Sequence, residues 1–308
     1  MTTSPTTKIA IIGAGTIGLS LTALHLVQNP TCQIAIHDPR PDLQSYITTH
    51  LPTYLPQVDK ATYQTRISLV SDLSSAVKNA TIIQEQGPEE TGFKQRIWAQ
   101  IEGYAPPNAL FWSSTSGIPA SEQNREMKDK SRLVVVHPYN PPHVMPLLEV
   151  VPAPSTSADV VERTLEYWRT LGRTPVVVRK ECTGFVANRL AFALFREACS
   201  LVAQDVVSVE DLDAIVSASM GPRWSVAGPF KSYHAGGGEG GLKSFMEKIG
   251  GTVQACWSAS DEDVKREGIE VGNAWQDKIC RQANESYGVV DTSTRDETTK
   301  KVLNVVGH

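Results

Sequence analysis

No stretch of this 308-residue chain approaches the ~20 consecutive apolar residues that a membrane-spanning helix needs. The leader Met1 to Thr7 lacks the basic and apolar regions of a secretory signal, and Val306-Gly307-His308 is not a peroxisomal tail. No lysine or arginine run is longer than two and the formal net charge is −4, which argues against nucleic acid and against a polybasic membrane contact. Cysteine is sparse. Cys32, Cys182, Cys199, Cys256 and Cys280 stand singly with no CxxC, an odd and dispersed set that suits reduced thiols in a cytoplasmic protein better than disulfides or zinc. Charged residues make up only 20% against 41% hydrophobic, the balance of a folded chain, and the length allows two unequal domains.

What is present is an alternation of short apolar runs and helical stretches. Lys8 to Ile12 reads as a strand, Gly13 to Gly18 as a turn, Leu19 to Val27 as a helix and Gln33 to His37 as a second strand. Strand-type runs recur at Ala80 to Gln84, Ala109 to Ser113, Arg132 to Val136, Leu147 to Val151 and Pro175 to Val178, with helices at Phe93 to Ile101 and Val160 to Leu171. This order predicts an α/β fold, a doubly wound parallel sheet of Rossmann type over residues 1–181, followed by an all-α domain over 182–308. Pro52 to Thr65 reads as a connection, and the polar tail after Asp291 as frayed. Phe185 to Val202 is helical and apolar nearly all round, which demands burial, either at the centre of the helical domain or in a homodimer interface. Ser208 reads as an N-cap with Asp211 completing a capping box, and Gly221 as a stop for that helix.

The first turn reads Gly13-Ala-Gly15-Thr16-Ile17-Gly18, with a strand before it, a helix after it and Asp38 twenty positions past Gly18. Gly13 permits the turn, Gly15 lets backbone approach a pyrophosphate, and Gly18 lets helix and strand pack closely, with the helix N-terminus offering N–H groups to phosphates. Asp38 ends the second strand, where a carboxylate accepts from ribose hydroxyls and repels a 2′-phosphate. The spacing therefore predicts NAD rather than NADP, although Arg40 stands close by.

The segment Leu133-Val-Val-Val-His137-Pro-Tyr-Asn140-Pro-Pro-His143 places a histidine where a parallel strand ends, on the side of a sheet where ligands bind. Pro138, Pro141 and Pro142 force a turn, and Glu149 lies in the next strand-like run, within reach of the His137 ring. Imidazole titrates near neutrality and suits the proton transfer that accompanies oxidation of a secondary alcohol. A carboxylate accepting its other N–H would fix the tautomer. The spacing of His137, His143 and Glu149 is not that of a helical metal-binding pair, so no metal is expected.

These motifs resemble the 3-hydroxyacyl-CoA dehydrogenase superfamily over nearly the whole chain. Its members carry a His–Glu pair twelve positions apart, as at His137 and Glu149. They carry a serine in a Ser-Thr-Ser loop, matched by Ser116, and an asparagine in a Gly-Phe-x-x-Asn-Arg helix, matched by Asn188. The resemblance implies NAD as cofactor, with Glu89, Lys94, Ser116 and Asn140 contacting its nicotinamide half, His137 as general base and acid, and Ser116 and Asn188 donating to the substrate oxygen.

Within that superfamily the chain is most similar to the lambda-crystallin/L-gulonate 3-dehydrogenase and carnitine 3-dehydrogenase branch, through His137 to His143, Pro146 to Val151, Gly221 to Phe230, Tyr233 and the glycine run Gly236 to Leu242. Carnitine enzymes often carry aspartate where Asn188 stands. The acyl-CoA enzymes have a longer helical hairpin after the second strand, whereas only 28 residues separate Asp38 from Ile67 here, which favours a free 3-hydroxy acid over a CoA thioester. Arg223 beside Trp224 suits a substrate carboxylate, or is a plain surface arginine. The glycine run reads equally as a mobile lid or a surface loop. Two other functions fit the sequence, a dehydrogenase of a thioester or biosynthetic intermediate, and an NAD(H)-binding protein that has lost turnover as a crystallin does.

Overall fold

Two-residue alternation in the strands builds a sheet with a core on each face. In β1 (Lys8–Ile12) Ile9 and Ile11 enter one apolar cluster and Ala10 and Ile12 the other. Val134 and Val136 split from Leu133 and Val135 in the same way on β6 (Leu133–Pro138). The computed structural model describes residues 6–55 and 58–307; the leader Met1 to Pro5, Pro56 and Gln57 of the connection and the terminal His308 lie outside the described residues. The chain divides into two compact units, Met1–Asn188 and Arg189–His308.

The first unit continues from β1 through α1 (Thr16–Gln28), β2 (Gln33–His37), α2 (Leu43–His50), α3 (Lys60–Gln64), β3 (Ile67–Leu69), α4 (Leu73–Val77), β4 (Ile82–Glu85), α5 (Thr91–Tyr104), β5 (Leu110–Ser113) and α6 (Ala120–Gln123). After β6 come β7 (Leu147–Pro152), α7 (Ala158–Thr170) and β8 (Thr174–Val177). The strand order is β3-β2-β1-β4-β5-β6-β7-β8, so the order reverses between β1 and β4, at the glycine turn. The sheet is not wholly parallel. β7 runs antiparallel to β6 because the proline turn between them is too short for a crossover, and β8 runs parallel to β7.

Pro52 to Thr65, read as a plain connection, holds most of a 3₁₀ turn at Leu51–Tyr54 and all of α3; with α2 just before it, Leu43, Ile47, Leu51, Leu55 and Tyr63 are buried in the cluster that also covers α1. The apolar residues are spaced so that each short turn presents its own anchor to that core, which outweighs the prolines.

The second unit is helical. Its elements are the body of α8 (Ala187–Ala203), then α9 (Val209–Ala218), α10 (Met220–Val226), α11 (Pro229–Gly236), α12 (Gly241–Arg266), α13 (Trp275–Tyr287) and α14 (Thr292–Val306). Ser208 caps α9 by accepting from the Asp211 N–H, as the capping box predicts. Gly221 does not stop α9, which ends at Ala218; it lies inside α10. The tail after Asp291 is not frayed, because Asp291 caps α14 through the Ser293 N–H. The glycine run is a packed turn rather than an open loop. Gly241 has φ +59°, and a Cβ there would lie 2.4 Å from the His234 ring. On α8, Leu190, Phe192 and Phe195 are 61%, 63% and 58% exposed, so the described residues leave part of its apolar surface uncovered.

Candidate active site

His137 is the next-to-last residue of β6, and Glu149 is its cross-strand partner on β7. Opposed residues of an antiparallel pair project to the same face, so the eight-residue turn between the two strands, residues 139–146, sets the two side chains side by side. Nδ1 of His137 lies 2.8 Å from Oε2 of Glu149, and both side chains are buried. The other oxygen, Oε1, accepts from the backbone N–H groups of Val186 at 2.8 Å and Ala187 at 3.0 Å. Glu149 therefore also caps the start of α8 from outside that helix. Burial pushes the Glu149 carboxyl up. The His137 hydrogen bond, the two backbone N–H groups and the charge of His137 outweigh that effect and hold it below its ordinary value.

The turn before α8 is fixed by two consecutive left-handed residues, Gly184 at φ +73° and Phe185 at φ +52°. A phenylalanine pays a steric cost there. It is offset by complete burial of the ring, whose centroid lies 5.3 Å from that of His137. Asn188, on the first turn of α8, donates through Nδ2 to the Ser116 carbonyl at 3.4 Å. Ser116 is exposed, in the loop after β5. Within the first unit His137 is thus paired with Glu149, and Asn188 with the Ser116 backbone, the two pairs meeting at the start of α8, where Glu149 holds the Val186 and Ala187 N–H groups.

The other expected residues fall into two groups. Glu89 holds the Ser116 loop, its Oε1 accepting from the Thr115 hydroxyl and from the N–H groups of Ser116 and Gly117, both at 3.0 Å. Asn140 is exposed in the turn after β6. Lys94 is instead fully buried, its Nζ 2.9 Å from both oxygens of Glu85 and 3.2 Å from the Gly87 carbonyl. Burial pushes the Glu85 carboxyl above its ordinary value against the pull of Lys94. Glu85 and Thr115 are not legible as site residues; each is read by its neighbours in space, and the one signal for Glu85 is a carboxylate at the end of the short strand Ile82-Ile83-Gln84-Glu85. Arg223 and Trp224 lie on α10 in the second unit, both exposed. His143 anchors the proline turn to α1, with its Nδ1 2.9 Å from the Ser20 hydroxyl and its ring edge-on to Tyr54.

The glycine turn has the shape a dinucleotide needs. A Cβ on Gly18 would lie 2.1 Å from the Gly13 carbonyl oxygen, so only glycine lets α1 start this close to β1. A Cβ on Gly15 would meet nothing within 4 Å, so the backbone there is open to an incoming group. No side chain caps α1, whose first residues Thr16 and Ile17 leave their N–H groups to an anion. Asp38 is held at the end of β2 by the Ala14 N–H at 2.7 Å and the Arg40 N–H at 3.0 Å. The Arg40 guanidinium is engaged elsewhere, 2.8 Å from Asp42 Oδ1 and stacked 3.4 Å over the Tyr46 ring.

Comparison with known proteins agrees with this geometry. Residues 8–182 match the NAD binding domain of 3-hydroxyacyl-CoA dehydrogenase, and residues 184–267 its C-terminal domain. A 3-hydroxyacyl-CoA dehydrogenase of Gibberella moniliformis is 34% identical over 92% of this chain and 88% of its own length. An L-carnitine dehydrogenase of Streptomyces coelicolor is 30% identical over 97% of this chain and 95% of its own. Among solved structures, an NAD+-dependent 5-formyl-3-hydroxy-2-methylpyridine 4-carboxylic acid 5-dehydrogenase superposes with a TM-score of 0.74 at 26% identity, covering 97% of both chains.

Proposed function

The chain belongs to the 3-hydroxyacyl-CoA dehydrogenase family and is an NAD-dependent oxidoreductase, and from that premise we propose that it interconverts a free 3-hydroxy acid and its 3-oxo form, with His137 carrying the proton. The observation that supports this most is the buried His137–Glu149 pair beside Ser116 and Asn188.

Gly13, Gly15, Thr16, Ile17 and Gly18 would hold the pyrophosphate of NAD and Asp38 its ribose hydroxyls, with Glu89, Asn140 and Lys94 toward the nicotinamide half. Lys94 serves there by fixing the Gly87 turn rather than by contact. Bound NAD supplies the hydride acceptor in oxidation and the donor in reduction. His137 receives the hydroxyl proton at Nε2, because Nδ1–H is committed to Glu149. The positive charge that then forms on the ring is stabilised by a carboxylate already held ionised. Ser116 and Asn188 donate to the substrate oxygen as charge grows on it. In reduction the protonated His137 returns the proton.

The folded-down segment between β2 and β3 favours a free acid, since its apolar residues are spent on the core and not on a projecting hairpin. A CoA thioester is the second reading, favoured by the Gibberella relative, a 3-hydroxyacyl-CoA dehydrogenase. The exposed apolar residues of α8 support a homodimer through the helical domain. Among the described residues no helix is long and apolar enough to cross a membrane. The exposed free thiols Cys256 and Cys280 fit a reducing, cytoplasmic setting. The test is turnover with NAD across free 3-hydroxy acids, carnitine and 3-hydroxyacyl-CoA thioesters. The free acids should be oxidised with the highest kcat/KM, and preference for a thioester would overturn that choice.

A further inference from the structure

A second chain of buried polar side chains runs through the first unit, away from His137. It starts at His25, on the face of α1 packed into the core, where the ring is fully buried against Tyr167 and Trp168. Burial pushes the His25 imidazole down to about 4, against the smaller upward effect of its Gln84 hydrogen bond, so the ring is neutral at ordinary pH.

A neutral imidazole has one donor and one acceptor. Gln84 Oε1, 3.0 Å from Nε2, can only accept, so Nε2 carries the proton. Nδ1 is then the acceptor for the Tyr167 hydroxyl at 2.9 Å. On the far side Gln84 Nε2 donates to Ser114 Oγ at 3.4 Å, the Ser114 hydroxyl donates to Gln86 Oε1 at 3.4 Å, and Gln86 Nε2 donates to the Gly13 carbonyl at 3.3 Å. Every link has the same donor direction, from α7 through the ends of β4 and β5 to the first glycine of the cofactor turn. Each group has one orientation, because reversing any link would set two donors or two acceptors face to face. Gln86 is half-buried and packs on that turn, its Cγ 3.4 Å from where a Gly18 Cβ would stand.

We propose that His25 is a positioning residue for cofactor binding, holding the Gln86 amide and the Gly13 carbonyl in the arrangement that receives the dinucleotide. A leucine at this site would pack as well as its neighbours Leu24 and Leu26, so the core alone does not explain a buried imidazole, which costs free energy unless both nitrogens are satisfied. The inference rests on the reading that the Gly13–Gly18 turn binds NAD.

The test is a double-mutant cycle read by NADH fluorescence titration on wild type, His25→Leu, Gln86→Ala and the double variant. His25→Leu should weaken NADH binding roughly threefold to tenfold, the effect of one lost hydrogen bond. In the Gln86→Ala background it should add nothing, since the chain is already cut at the cleft. Wild-type affinity in His25→Leu, or effects of the two substitutions that multiply, overturns the proposal. If His25→Leu does not fold, Ser114→Ala, which breaks the same chain between His25 and Gln86, takes its place in the cycle under the same two criteria. A wild-type protein that binds no NADH refutes the reading of the turn itself, an outcome separate from any difference among variants.

Discussion

Nδ1 of His137 and Oε2 of Glu149 stand 2.8 Å apart across the antiparallel β6–β7 pair, and the same carboxylate closes the N-terminus of α8 with its other oxygen. One side chain thus ties His137, the proposed proton carrier, to the helix that bears Asn188. An amide cannot serve both sides, because Glu149→Gln keeps one acceptor and turns an NH₂ donor toward either His137 or the Val186 and Ala187 N–H groups. The variant should lose ~10²–10⁴ in kcat. It should also lose about 1–3 kcal/mol of stability from the stranded buried donors. Steady-state turnover and urea unfolding check both, and a variant normal in either measure excludes the shared role.

The legible part of this site is the part written in local sequence. The glycine turn with Asp38 follows from steric demands inside one βαβ unit, and the twelve-residue offset of His137 and Glu149 matches their cross-strand register. The direction of β7 is not legible, since an apolar run reads the same either way along a sheet. His25 stayed hidden because its partners Gln84 and Tyr167 are 59 and 142 positions away. Lys94 reads from the resemblance as a contact of the nicotinamide half, and only the fold supplies its partner, the strand-end carboxylate of Glu85. Apolar α8 reads the same whether its own chain or another covers it.

Acid should expose His25. Its folded value of about 4 lies below the ordinary 6.5, so between these the unfolded chain binds the extra proton. Stability from the neutral ring is fully present above pH 6.5 and is lost as pH falls toward 4, a change of about 3 kcal/mol. Urea midpoints across this window should fall with pH in the wild type and fall much less in His25→Gln. Equal slopes would show that other groups carry the acid sensitivity.

Lys94 and Glu85 form a buried pair whose halves need each other. Removing the cation alone strands a carboxylate that nothing else neutralises, so Lys94→Met should cost about 3–5 kcal/mol. Lys94→Met with Glu85→Leu should recover most of that loss, yet bind NADH more weakly than wild type, because the Gly87 carbonyl and N–H both lose their anchors. Denaturation and NADH titration separate the two effects. A double variant no more stable than the single one would count against the pairing.

Selectivity for NAD should depend on Asp38 and on where Arg40 is held. Asp38→Asn keeps an acceptor for the Ala14 N–H but removes the charge, and should raise the KM for NAD roughly tenfold, about the value of one charged hydrogen bond. It should gain little with NADP, since Arg40 remains tied to Asp42 and Tyr46. Adding Asp42→Ala with Tyr46→Ala frees that guanidinium from both partners, and kcat/KM with NADP should then rise above that of the single variant. No rise would mean that Arg40 cannot reach the 2′ position.

Leu190, Phe192, Leu194 and Phe195 are exposed within six consecutive positions of α8. Scattered apolar residues are ordinary on a protein surface, but two phenylalanines and two leucines on one helix segment form a patch that solvent does not tolerate well. Cys199, Ser200 and Val202, further along the same helix, are buried, so the exposure is local and does not reflect a poorly packed helix. A second copy is the partner that requires no further protein, and a two-fold axis would let the patch cover its own image. The wild-type protein should therefore sediment as a dimer at micromolar concentration. Phe192→Glu with Phe195→Glu would place charges inside that contact, at a desolvation cost that no partner offsets. This variant should sediment as a monomer that keeps its helical signal. A wild type that is monomeric throughout, or a variant that remains dimeric, would show that another surface or another partner covers α8.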